Sequence, residues 1–119
     1  MANYAEIFEN LKTLLQPFAT ELKVKEDSSD TYSLISKQLD ENNKETVFVW
    51  LKIQKNYVSF HLMPIYDQPE LLDGISAQLK QRLKGKTCFN FTKMNEKVFS
   101  DLAALTERGL EAHREKGLI

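Results

Sequence analysis

A chain of 119 residues, 42% hydrophobic and 28% charged, has the length and composition of one globular domain (1–119) and not of a disordered segment. Sixteen Lys and Arg against seventeen Asp and Glu leave a net charge of -1. That argues against duplex DNA as a partner, because displacing counterions from a phosphate backbone takes a basic excess. One cysteine excludes an internal disulfide and fits a reducing compartment.

The start, Met1-Ala2-Asn3-Tyr4, has neither a basic nor an apolar leader segment. The longest apolar run, around Val47 to Leu51, is too short to span a bilayer. A cytoplasmic protein with no membrane and no DNA among its partners is expected.

Tyr4, Ile7, Phe8, Leu11, Leu14, Leu15 and Phe18 recur at three- and four-residue steps, which predicts a first amphipathic helix. Asn3 with Glu6 suits its N-terminus as a capping box, and Pro17 ends it nearby. Leu22–Glu26 and Thr31–Leu39 read as strands, joined by the turn residues Asp27-Ser28-Ser29-Asp30. After the polar loop Asp40–Lys44, Thr46–Gln54 is rich in β-branched and aromatic residues. Strict alternation puts Val47, Val49, Leu51 and Ile53 on one face and Phe48 with Trp50 on the other. Lys55-Asn56 predicts a tight turn with Asn56 at positive φ, and Tyr57–Met63 the next strand, stopped by Pro64.

Asp67, Pro69 and Glu70 open a short helix that Gly74 stops. Ser76 caps a second, Ala77–Lys84, ended by Gly85. Thr87–Phe91 reads as the last strand. Asn95 caps a final helix to about Lys116, with Val98, Leu102, Leu105, Gly109 and Leu110 facing the sheet. Gly109, costly inside a helix, marks either close packing or a bend. The expected fold is α+β, in the order α-β-β-β-β-α-α-β-α. An antiparallel sheet of about five strands carries the N- and C-terminal helices on one face.

The stretch Lys55-Asn56-Tyr57-Val58-Ser59-Phe60-His61-Leu62-Met63-Pro64 resembles the central hairpin of the YdhG-like domains of unknown function. So do the later Gly85-Lys86 turn, the strand Thr87-Cys88-Phe89-Asn90-Phe91 and the helix after Asn95. The likeness covers about the second half of the chain; the family's Gly-Met-Pro turn has no counterpart here. It implies an α+β fold with helices on one sheet face. Some members are described as frataxin-like iron chaperones, so it also implies iron as a ligand of an acidic ridge. The residues available for a ridge are Glu6, Glu9, Glu21, Glu26, Asp27 and Asp30, interrupted by Lys12, Lys23 and Lys25.

Chemistry-bearing residues are few. His61 and Cys88 fall on strands that can be neighbours, and Asn90 shares the sheet face of Cys88. Cys, His and an orienting Asn form a known nucleophilic arrangement. The simpler reading is a buried, inert thiol, since no helix N-terminus accompanies Cys88 to lower its pKa. One Cys and two His exclude a structural zinc site, and His113 lies far along the last helix. No cofactor is called for by the residues themselves; iron enters through the resemblance alone. Lys80, Arg82, Lys84, Lys86 and Lys93 gather around Gly85, which reads first as a solvated helix end.

Trp50, Phe48, Tyr57, His61 and Tyr66 make an aromatic group that exceeds the catalytic inventory. A ligand pocket, a dimer interface or a second core layer beneath the middle helices would each account for it, the last being the plainest. The functional expectation is a non-enzymatic binding or interaction module using this aromatic face with Cys88 and Asn90. Its partner would be a small ligand or a second copy. A frataxin-like iron-binding protein and a thiol-dependent enzyme centred on Cys88 are the alternatives.

Overall fold

The structure, a computed structural model, describes residues 3–119. Met1 and Ala2, read above as a start without a leader, lie outside them. Asn3 begins α1 (Tyr4–Ala19): its Oδ1 accepts the Glu6 N–H at 3.1 Å, satisfying a backbone donor that the helix itself cannot. Asn95 does the same for α4 (Glu96–Glu115) through the Val98 N–H, also at 3.1 Å. Pro17 sits in the last turn of α1, which ends two residues later.

Between these helices run β1 (Leu22–Asp27), β2 (Thr31–Ser36), β3 (Val47–Ile53) and β4 (Val58–Leu62), followed by β5 (Leu83–Lys84) and β6 (Cys88–Phe91). All pair antiparallel in the order β1-β2-β3-β4-β6-β5. The α+β class and the element order agree with the sequence reading. The sixth strand is extra: the helix expected over Ala77–Lys84 is only α3 (Ala77–Lys80), and Leu83 and Lys84 pair with Phe89 and Cys88. Gly85, at φ +81°, turns the chain between the two strands.

The core fills one face. Tyr32, Leu51, Phe60 and Phe89 lie in register across β2, β3, β4 and β6, and Leu34, Val49 and Leu62 form the next row. All are buried, together with Ile7, Phe8, Leu11 and Leu15 of α1 and Val98, Leu102, Leu105 and Leu110 of α4. The two helices also touch each other. At their far ends Arg114 donates to both carboxylate oxygens of Glu21, joining α4 to the segment between α1 and β1.

Two β-bulges interrupt the alternation on which the sequence reading relied. In β1 the register slips at Lys25, and in β3 it slips at Phe48, because Leu34 faces Val49 while Ile35 faces Val47. The extra residue exchanges the faces that simple alternation assigns to Val47 and Phe48, and leaves Val49, Trp50 and Leu51 on theirs. Phe48 is therefore not beside Trp50. It is fully buried on the helix side, its ring 5.1 Å from that of His113 on α4. Val47 takes the opposite side and is partly exposed. The turn before β4 is also built differently: Gln54 N–H donates to the Tyr57 carbonyl at 2.8 Å, and Asn56 is not at positive φ. Among the described residues other than glycine, only Asn43 in the β2–β3 loop takes that conformation, at 62°.

The middle segments do not form a second layer. α2 (Pro64–Asp67), the 3₁₀ turn Pro69–Leu72 and α3 all pack against α4, on the face that already carries the core. Gly109 is the contact point. A Cβ there would lie 3.4 Å from Pro64 Cγ and 3.5 Å from Pro64 Cβ, so this glycine lets α4 approach Pro64 closely. A methyl group still fits at van der Waals distance, and alanine favours a helix by about 1 kcal/mol over glycine. Gly109→Ala is expected to be neutral or stabilising by up to that amount in urea unfolding. Gly109→Leu overfills the contact and is expected to cost about 1–3 kcal/mol.

Candidate functional site

With every helix of the described residues on one side, the other sheet face carries none of them. Across its centre Trp50 pairs with His61, His61 with Cys88, and Cys88 with Lys84. Lys52, Ser59 and Asn90 form the neighbouring row. Four residues singled out from the sequence, Trp50, His61, Cys88 and Asn90, thus come together. The indole and imidazole rings stack with centroids 3.7 Å apart and planes 9° from parallel. Burial lowers the pKa of His61, so the ring stacked on Trp50 is the neutral imidazole at pH 7.

The other members of the aromatic group are elsewhere. Phe48 is in the core. Tyr57 stands in the turn before β4, outside the paired register. Tyr66, on α2, is 62% exposed, with the Lys86 ammonium 5.5 Å from its ring centre.

Cys88 is half-buried rather than fully enclosed. Its thiol donates to Asn90 Oδ1 at 3.2 Å, and burial raises its pKa, with the Phe60 backbone opposing in part. Asn90 here holds a protonated thiol instead of orienting a base. A nucleophilic cysteine needs the opposite shift.

Beside Trp50 the face sinks into a trough of about 440 Å³ lined by Lys25, Glu26, Thr31, Ser33, Val47, Trp50, Lys52 and Gln54. Both bulged strands border it, since Lys25 is the slipped residue of β1 and Val47 flanks that of β3. Ser33 pairs with Trp50 on one side and Glu26 on the other. It is 4% exposed, and its Oγ has no hydrogen-bond partner, alone in this among the buried side-chain nitrogen and oxygen atoms of the described residues. A hydroxyl withdrawn from water without a partner destabilises the fold by about 1–3 kcal/mol.

Sequence reasoning missed Ser33 and His113. For Ser33 the signal was a small polar residue amid Tyr32, Leu34 and Ile35, at the position that faces Trp50 in the neighbouring strand. His113 continues the stripe of Leu102, Leu105 and Gly109 at helical spacing. It is buried, shares a 2.9 Å hydrogen bond with Ser36 Oγ, and has its pKa pushed down to about 4, chiefly by burial.

Among the described residues, no three or more His, Cys, Asp and Glu side chains come close enough together to hold a metal ion. The acidic residues named for a ridge are dispersed, with Asp27 paired to Lys12 at 2.5 Å and Glu21 to Arg114. No helix among those residues is long and apolar enough to cross a membrane. No protein-family model matches the chain, and neither does any curated protein or solved structure.

Proposed function

We propose that the chain is a non-enzymatic binding module whose recognition surface is the sheet face around Trp50. The observation that carries this reading is the stacked Trp50–His61 pair on a face that no helix covers. Large aromatic rings at the surface beside a trough are the usual makings of a recognition site. A small ligand is favoured over a second copy, because the trough is concave and its buried Ser33 hydroxyl lacks a partner. The thiol-enzyme alternative is less well supported, given the raised pKa of Cys88. The iron alternative lacks a ligand cluster among the described residues. An unpaired thiol also suits the reducing cytoplasm, where we place the protein.

Trp50 is the only tryptophan, so its emission reports on this surface alone. We expect a partly shielded indole whose emission and sedimentation mass stay constant on dilution, as for a monomer with an open ligand site. Emission that reddens as the mass falls would transfer the surface to a dimer interface. Emission of a fully hydrated indole at every concentration would remove the site.

A further inference from the structure

We infer that the trough beside Trp50 binds a small, uncharged, planar heteroaromatic molecule whose edge offers both a hydrogen-bond donor and an acceptor, the chemistry of a purine base. This rests on the proposal that the open face is a recognition surface and specifies what it recognises.

Three features converge. The first is the free face of the indole. His61, on β4, stacks against one side of Trp50, whereas every residue lining the trough belongs to β1, β2 and β3 or the segment just after β3. The trough therefore opens on the side of the indole away from His61. A flat ring there extends the existing stack from two members to three, and stacking on an aromatic face is indifferent to substituents on the ring edge.

The second is Ser33. Its hydroxyl is buried in the trough, lacks a partner, and can both donate and accept. A ligand edge that reaches it satisfies a group for which the fold provides nothing. A purely apolar ring would leave it unpaired.

The third is charge. Lys25 is already paired with Glu45 at 2.6 Å. Of the remaining lining residues, Lys52 and Glu26 bear opposite charges and neither has an ion-pair partner among the described residues. A bare anion would face Glu26, and a bare cation Lys52. An uncharged edge with donors and acceptors suits both, with Gln54 and Thr31 able to contribute further hydrogen bonds. The volume of about 440 Å³ lies within the ordinary range for small-molecule sites and exceeds the need of a bicyclic ring.

The test follows the indole N–H resonance of Trp50, the single such peak in a proton–nitrogen correlation spectrum, as probes are added near pH 7. Adenine, neutral at this pH, is expected to shift the peak saturably. 2-Naphthoate, of similar area with a carboxylate in place of the heteroatom edge, should bind at least about tenfold more weakly. Ser33→Ala should weaken adenine binding about tenfold. It should not lower the urea midpoint, because it removes a buried hydroxyl that has no partner. That separates a lost ligand contact from a lost fold.

Equal shifts from adenine and 2-naphthoate would overturn the inference. So would an adenine titration unchanged in Ser33→Ala. In either case the open face would remain a binding surface, of the less selective stacking kind. If neither probe moves the peak the inference falls. If Trp50 emission is then also that of a hydrated indole, the recognition surface falls with it.

Discussion

Leu11→Ala and Leu102→Ala are each expected to cost about 2–5 kcal/mol in chemical denaturation. Both side chains are fully buried, one in mid-α1 and the other in mid-α4, where the two helices meet over the sheet. Truncation removes the transfer free energy of the lost carbons. It also leaves a cavity, because helices held by the same sheet and by one another have little room to close over it. A domain of this size is stable by about 5–15 kcal/mol in all, so either variant loses a large share. Their denaturation midpoints should fall with little change in slope. A loss below about 1 kcal/mol would mean that the stripe on that helix is not the buried one.

Acidification is expected to destabilise the protein by about 3 kcal/mol between pH 6.5 and 4 through His113, with His61, whose pKa burial also lowers, adding to the loss in the same window. In the folded chain burial holds its pKa down at about 4, with Lys116 adding to the effect and Asp67 opposing it. In the unfolded chain the ordinary value near 6.5 returns. Between the two, the unfolded state binds a proton that the folded state refuses, so stability falls as pH falls. Below about 4 both states carry the proton and this loss levels off. Glu21 and Glu45 act in a separate window: Arg114 and Lys25 lower their pKa values, so their contributions are lost only below the ordinary carboxylate range. Urea midpoints measured across this interval should drop clearly less in His113→Gln, which cannot titrate there and can still bond Ser36, than in the wild type; the slope that remains is the share of His61. Parallel curves for the two proteins would refute the assignment.

The elements were legible in the sequence because their signals are local. Helix stripes, the Asn3, Ser76 and Asn95 caps and the alternation of β4 depend on neighbours a few residues away, and the structure reproduces them. What escaped were choices made by partners distant in sequence. Phe48 lies among residues of high β-propensity, and nothing in Val47–Ile53 marks a bulge. The bulge answers to the pairing with β2, whose Leu34–Ile35 step holds the slip. One slipped residue was enough to carry Phe48 from the expected site into the core and Val47 out of it. The middle helices were misassigned for a related reason. Pro64 meets Gly109 on α4, a contact across forty-five residues that no local pattern announces. Within the site, the Trp50, His61, Cys88 and Asn90 cluster was readable because sheet register is periodic. The partnerless Ser33 was not, since being without a partner is a property of the completed fold.

The join between Arg114 and Glu21 spans most of the chain, whereas β1, β2 and β3 each pair with the next strand in sequence. Hairpins of that kind close short loops and need little loop entropy, so they can form before α4 is in place. The α1–α4 contact closes the largest loop in the molecule and brings its return only after the sheet exists to receive both helices. Substitutions along that seam should therefore act mainly by hastening unfolding and leave the folding rate nearly untouched, while changes in the β2–β3–β4 hairpins should do the reverse. Resistance to slow loss of the native state would then be set at the seam between the chain's two helical ends, well away from the surface that carries Trp50.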